Sequence, residues 1–268
     1  MPHSSIWSAG RYESVAERIA PIATEVLTAV GARVPLPGVE LVDLACGTGN
    51  AALAAAAADA RVTGVDITPE LLAVAAEKPG GDAVRWVAAD AGATGLADAS
   101  FGAAVSNMGI IFVEPVAMVA ELARLLRPGG VLGFSTWVRD ADNPFYTPIL
   151  EVLGPPPPAP YGPDQWGDPD IARSRLATDF TDVIIETGVH PWRFASVEEA
   201  VDLVTRESPM HLDILSRLDD GTRTRLVGAF EAAFGAHAGP GGVEFGAPYA
   251  VVTAHARSNS DTAHARSK

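Results

Sequence analysis

Apolar and polar positions change period several times along the chain, and each change marks an element. Val15, Ile19, Ile22, Ala23, Val26, Leu27 and Val30 recur at helical spacing, which predicts an amphipathic helix. Gly31 and the prolines at 35 and 37 end it. A short apolar run follows, Val39, Leu41, Val42 and Leu44, with Asp43 inside it. Gly47 and Gly49 come next, then an alanine-rich, helix-prone stretch at 51–58. Strand, glycine turn and helix are the opening of a nucleotide-binding βαβ unit. Glycine suits such a turn because the backbone must bend sharply and approach a ligand closely.

The alternation continues. Residues 61–66 predict a second strand ending in Asp66, after which Thr68 reads as a helix cap and Pro69 as the first helical residue. Strands are predicted at 84–88, leading into Asp90, and at 103–106, leading into Asn107, Met108 and Gly109. Arg127–Gly130 reads as a turn into a fifth strand at 131–137. Residues 139–179 are rich in proline, Asp and Gly, which predicts an irregular, rigid segment. A sixth strand is predicted at 183–185, continuing toward His190-Pro191-Trp192. Helices follow from the Ser196/Glu199 capping box onward, at 210–218 and at 222–234, and a last strand at 249–256.

Two ligand classes fit the glycine turn. Gly47, Gly49 and Ala52 satisfy G-x-G-x-x-[GA], the pyrophosphate-binding pattern of dinucleotide folds, where phosphate sits on a helix N-terminus. Asp43, four residues before Gly47, disfavours a pyrophosphate and favours a cationic ligand such as a sulfonium with an amino-acid end. Asp66, about 20 residues past the glycines, is spaced to bind ribose hydroxyls in either case.

Together, Val42-Asp43-Leu44-Ala45-Cys46-Gly47-Thr48-Gly49-Asn50, Val65-Asp66-Ile67-Thr68, Ala89-Asp90-Ala91, Asn107-Met108-Gly109 and Leu126-Arg127-Pro128-Gly129-Gly130 resemble the motifs of class I S-adenosylmethionine-dependent methyltransferases, in family order. The family often has glycine where Ala45 stands. The resemblance implies a Rossmann-like, doubly wound α/β sheet of seven strands ordered 3-2-1-4-5-7-6, the last antiparallel, with an N-terminal helix and a helical cap insertion. It implies S-adenosylmethionine as cofactor: Asp43 toward the ammonium, backbone at Ala45, Gly47 and Gly49 beneath the methionine and ribose, and Asp66 on the ribose hydroxyls. Ile67 would lie against the adenine, Asp90 and Ala91 beside its ring, and Asn107 with Met108 near the methyl group. Tyr12 joins the cofactor set as part of an N-terminal lid. The expected organisation is one domain over 1–256. Within it, 1–37 is a helical lid, 38–138 the cofactor core, 139–179 an irregular cap segment and 196–236 a helical cap insertion; 257–268 is a flexible tail.

Composition narrows the partners. The 268-residue chain carries a net charge of −14, which repels phosphate backbones and argues against nucleic-acid partners. No apolar run reaches a membrane span and the N-terminus lacks signal-peptide features, so a cytoplasmic enzyme is expected. A homodimer is the base-rate expectation. The one cysteine, Cys46, excludes an intrachain disulfide and reads as a small packing residue of the loop. Asp140, Asp142 and Asn143 read as a turn, and no metal is expected. A general base serves hydroxyl or carbon acceptors and is dispensable for amines and thiolates. His211 is the first candidate for that base, followed by His190, Tyr12 and His255. The leading reading is methyl transfer to a small apolar natural product or quinone-like metabolite at O, C or N. The alternatives are a non-methylating reaction in the same fold, such as cyclisation; a non-catalytic binding module; and, more distantly, a dinucleotide dehydrogenase.

Overall fold

The computed structural model describes residues 4–157 and 159–257. The tail expected to fray therefore lies, from residue 258 on, outside the described residues. The chain forms two compact units. The larger contains Ile19–Arg139, Tyr161–Gly188 and Tyr249–Lys268; the smaller contains Met1–Arg18, Asp140–Pro160 and Val189–Pro248.

The strands are β1 (Glu40–Leu44), β2 (Arg61–Asp66), β3 (Arg85–Ala88), β4 (Phe101–Asn107), β5 (Leu126–Trp137), β6 (Phe180–Phe194), β7 (Ala238–Gly239) and β8 (Gly242–Ala256). They order as β3-β2-β1-β4-β5-β8-β6, with β7 paired to β8 as a short hairpin. β1 to β5 run parallel, and β8 is antiparallel to β5 over Val131↔His255 to Trp137↔Tyr249. This is the expected doubly wound order with its antiparallel closing strand. β1 is almost wholly buried, which is why its sequence reads as a continuous apolar run rather than an alternating one.

In the larger unit, α3 (Asn50–Ala57), α4 (Pro69–Glu77) and α5 (Pro115–Leu125) follow β1, β2 and β4. Glu114 caps α5 by accepting from the N–H groups of Val116 (3.0 Å) and Ala117 (2.7 Å). Thr68 stands at the cap position of α4, but its hydroxyl makes no capping bond. The buried stripe Ile22, Ala23, Val26, Leu27 and Val30 of α2 (Tyr12–Gly31) is the predicted amphipathic face. It seats on β5 where Gly133 leaves room, since a Cβ there would lie 2.2 Å from Val30 Cγ2.

The structure corrects three expectations. Residues 139–179 are not irregular throughout: they contain α6 (Thr147–Leu153), a 3₁₀ turn at Pro163–Gly167 and α7 (Pro169–Leu176). Each of these begins on or next to a proline, Pro148, Pro163 and Pro169. Proline is tolerated at a helix start because its missing N–H has no intrahelical acceptor there, so these prolines start helices rather than exclude them. The predicted turn at Arg127–Gly130 lies inside β5, as a bulge between the pairs Phe101↔Leu126 and Ala103↔Val131. β8 begins seven residues earlier than predicted, at Gly242 rather than Tyr249, because the hairpin with β7 extends it.

In the smaller unit, α1 (Ser4–Trp7), α6, α8 (Val197–Asp202), a π-helical turn at Leu203–Glu207, α9 (Pro209–Ser216) and α10 (Asp220–Ala236) surround an aromatic core. Phe145 lies at its centre, 4.8 Å from Trp192, 5.2 Å from Phe245 and 5.6 Å from Phe234, all near edge-to-face. Half of the predicted capping box forms: Ser196 Oγ accepts from Glu199 N (3.2 Å), while the Glu199 carboxylate accepts from Ala195 N (2.6 Å), one residue before the cap. Among the described residues no helix is long and apolar enough to cross a membrane.

Gly133→Ala should lower the free energy of unfolding by about 1–3 kcal/mol, as overpacking at a tight contact does. Denaturant titration reads this directly. An unshifted midpoint would mean that α2 does not rest on β5.

Candidate functional site: the carboxyl ends of β1 to β4

Ten of the sequence-predicted site residues, Asp43, Ala45, Gly47, Gly49, Asp66, Ile67, Asp90, Ala91, Asn107 and Met108, fall at the carboxyl ends of four strands of the larger unit. Ligands of open α/β sheets bind at such ends. Four of the residues take positive φ angles that only glycine adopts without strain or that require support: Gly47 (54°), Gly49 (85°) and the non-glycine Ala45 (52°) and Met108 (57°). The turn closes with Gly49 N donating to Cys46 O (2.9 Å), and Cys46 N donates to Val65 O (3.0 Å).

Asp66 ties this turn to the next. Its Oδ2 accepts from Gly47 N (2.8 Å) and its Oδ1 from Thr68 N (2.9 Å). Burial raises its pKa, and these N–H groups partly offset that effect. Each carboxylate oxygen offers two acceptor positions, so both keep capacity for a ligand hydroxyl. Beside it Ile67 is 36% exposed, a large apolar side chain open at the end of a buried strand. Asp90 accepts from Gly92 N (2.8 Å), which shapes the turn carrying Ala91.

Asp43 is 1% exposed. Its Oδ2 accepts from Ala52 N (2.8 Å) in the first turn of α3, and its Oδ1 has no hydrogen-bond partner among the described residues. Burial, above all, with the nearby Asp66, pushes its carboxyl up to about 8. Burial also pushes the Cys46 thiol well above its ordinary value. This favours the neutral thiol over the nucleophilic thiolate.

The loop after β4 is held by residues the sequence reading missed. Ser135 Oγ on β5 accepts from Met108 N (3.0 Å) and donates to Asn107 Oδ1 (2.7 Å), while Asn107 Nδ2 donates to Ile19 O (3.2 Å). Met108 thereby keeps a φ of 57°. Gly109 lets this loop meet the first, since a Cβ there would lie 2.3 Å from Ala45 O. The sequence signal for Ser135 is a hydroxyl within the otherwise apolar β5 run. Trp86 of β3 is the other addition: its ring packs so close to Gly49 and Gly64 that a Cβ would lie 2.7 Å and 2.5 Å from it.

Tyr12 and His211 belong to the smaller unit. Tyr12 makes an edge contact with Trp7 (6.3 Å), and its segment docks through Arg11 N to Glu207 O (2.9 Å). His211 has both ring nitrogens engaged, Nδ1 with Ser208 Oγ (2.7 Å) and Nε2 with Phe145 O (3.1 Å). A carbonyl only accepts, so Nε2 carries the proton and Nδ1 accepts from Ser208. Enclosure near Phe145 and Phe230 lowers its pKa to about 4. His190 is buried against Trp192. His255 pairs with Val131, just past the bulge of β5, and bonds to Arg33 and Gly129. Asp140 and Asn143 close turns, accepting from Asp142 N (3.2 Å) and Phe145 N (3.0 Å).

Residues 42–134 match a methyltransferase domain family. Two uncharacterized proteins of Mycobacterium tuberculosis are similar to the chain. One is 35% identical over 159 residues, 57% of this chain and 55% of the relative. The other is 31% identical over 194 residues, 69% of each. The chain belongs to the class I S-adenosylmethionine-dependent methyltransferases. Within that family, a ubiquinone/menaquinone biosynthesis C-methyltransferase of Rubrivivax gelatinosus is 39% identical over 127 residues, 45% of this chain and 50% of the relative. The chain thus spans about half the length of several curated relatives it matches, including the first Mycobacterium protein at 55%. The fold is shared with a Haemonchus contortus phosphoethanolamine N-methyltransferase solved with S-adenosyl-L-methionine (TM-score 0.53, 17% identity, 88% of this chain and 53% of that one). S-adenosylmethionine is the cofactor of this methyltransferase family, and the site has the chemistry to hold it. Asp43 presents an unpartnered buried carboxyl oxygen, Asp66 spare acceptor capacity, and Ile67 an open apolar surface.

The depressed His211 pKa makes a prediction. The folded state keeps the ring neutral while the unfolded state takes up a proton near 6.5, so stability is full above that pH and is lost as pH falls toward about 4. The loss should reach on the order of 2–3 kcal/mol. In chemical denaturation at pH 7 and pH 4.5, His211→Gln should lack this component. Identical pH profiles for the two proteins would contradict the neutral assignment.

Proposed function

We propose that this protein transfers the methyl group of S-adenosylmethionine to a small apolar acceptor, a natural product or quinone-like metabolite, at carbon, oxygen or nitrogen. The observation that carries the reading is the set of groups at the ends of β1 to β4, with Asp43 Oδ1 unpartnered and Asp66 clamping both turns. Similarity to the Rubrivivax quinone C-methyltransferase supports the acceptor class. The net charge of −14 disfavours nucleic-acid acceptors and anionic surfaces. A homodimer is the assembly expected on general grounds.

In this reading Asp66 accepts from the ribose hydroxyls and Ile67 covers one face of the adenine. Asp90 and Ala91 border the ring's edge. Asp43 faces the ammonium, and backbone at Ala45, Gly47, Gly49, Asn107 and Met108 forms the floor. The bound sulfonium supplies a methyl group that is already activated. The protein's task is then alignment and exclusion of water, which contribute roughly 7–11 kcal/mol in well-oriented reactions. His211 serves in this scheme as a positioning group for Ser208 and the Phe145 backbone, since both of its nitrogens are committed. A transfer without a histidine base is the scheme that follows.

Incubation with labelled S-adenosylmethionine and a panel of quinone-like and phenolic acceptors should yield S-adenosylhomocysteine in step with methylated product. Acceptor conversion without S-adenosylhomocysteine would replace methyl transfer by a non-methylating reaction. Asp66→Asn keeps one acceptor oxygen for the two turns but loses the charge. It should weaken cofactor binding by about 10- to 100-fold, as expected from charge-assisted bonds of about 1.5–3 kcal/mol. Unchanged affinity would remove Asp66 from the ribose.

A further inference from the structure

We propose that binding of S-adenosylmethionine expels one proton from the Asp43 carboxyl into solvent, so that the site exchanges a proton for the ligand's ammonium. The proposal rests on the reading above that this site takes that cofactor.

The geometry sets the charge state. Asp43 is 1% exposed. An ionised carboxylate offers about four acceptor positions, and among the described residues the only donor is Ala52 N–H on Oδ2, while Oδ1 has none. A buried carboxylate left this short of donors is costly, and such groups take up a proton instead. The ionisable groups that face it give no relief. From β2 comes Asp66 and from the glycine turn Cys46, both acids. Its register partners on the flanking strands are Gly64 and Val105, which carry no charge. From α3 comes only the Ala52 amide, and Lys78 donates its ammonium to Thr48 O (2.9 Å). In line with this, the carboxyl sits at about 8. An ammonium placed at Oδ1 supplies both the missing donor and the missing positive charge. It thereby favours the ionised form, and the O–H bond breaks with the proton leaving to buffer.

The test is calorimetric titration of the whole protein at pH 7, in buffers of low and high ionisation enthalpy. For S-adenosylmethionine the difference should report release of close to one proton per site, and between pH 6 and pH 7.5 affinity should rise about tenfold per pH unit. 5′-Methylthioadenosine, which lacks the amino-acid end, should bind the same protein without proton release. Asp43→Asn, which cannot ionise, should bind S-adenosylmethionine with no proton release and a flat pH profile. Binding of S-adenosylmethionine with no release by the native protein would overturn the proposal, as would release that persists in Asp43→Asn. The methylthioadenosine arm does not depend on the variant folding, and release with that ligand would also overturn it. Absence of any binding would instead overturn the functional reading and take the proposal with it.

Discussion

The Asp66 carboxylate is the constraint on which the rest of the site depends. One oxygen accepts from Gly47 of the first turn and the other from Thr68 at the start of α4. Two loops from adjacent parallel strands are therefore fixed by one side chain at the end of β2. Such bonds can be made only if β1 and β2 pair in register, as Leu44 does with Val65. Close approach completes the arrangement. Gly109 brings the β4 loop onto Ala45, and Trp86 fits against Gly49 and Gly64 because neither has a Cβ. The glycines of this sequence thus serve two ends: some turn the backbone, and others admit a neighbouring group.

Much of this was legible from local patterns. Buried parallel strands write themselves as apolar runs, and the acids Asp43, Asp66 and Asp90 punctuate their ends. The strand order came from family resemblance, since pairing between distant segments leaves no local trace. Ser135 illustrates the limit. Its partners Asn107 and Met108 are joined to it only through the β4–β5 pairing. The hydroxyl could be noticed in the sequence but not matched.

The misread segments have physical explanations. Pro163 and Pro169 read in the sequence as marks of irregular chain, but each, like Pro148, stands in the first turn of a helix or 3₁₀ segment, where the lost N–H is harmless. The Arg127–Gly130 glycines turn the chain within a strand rather than between elements. His211 reads as a candidate base from its place in the predicted cap, after Ser208 and Pro209. In the structure its two ring nitrogens bond to Ser208 and Phe145, beside the aromatic core of the smaller unit.

The central claim is that the glycine turn and its three acids hold a sulfonium nucleoside rather than a dinucleotide. Parallel titrations of the purified protein with S-adenosylmethionine and with NADH test it most directly. The account predicts saturable binding of the sulfonium ligand and none of NADH. Binding of NADH with no response to S-adenosylmethionine would contradict it.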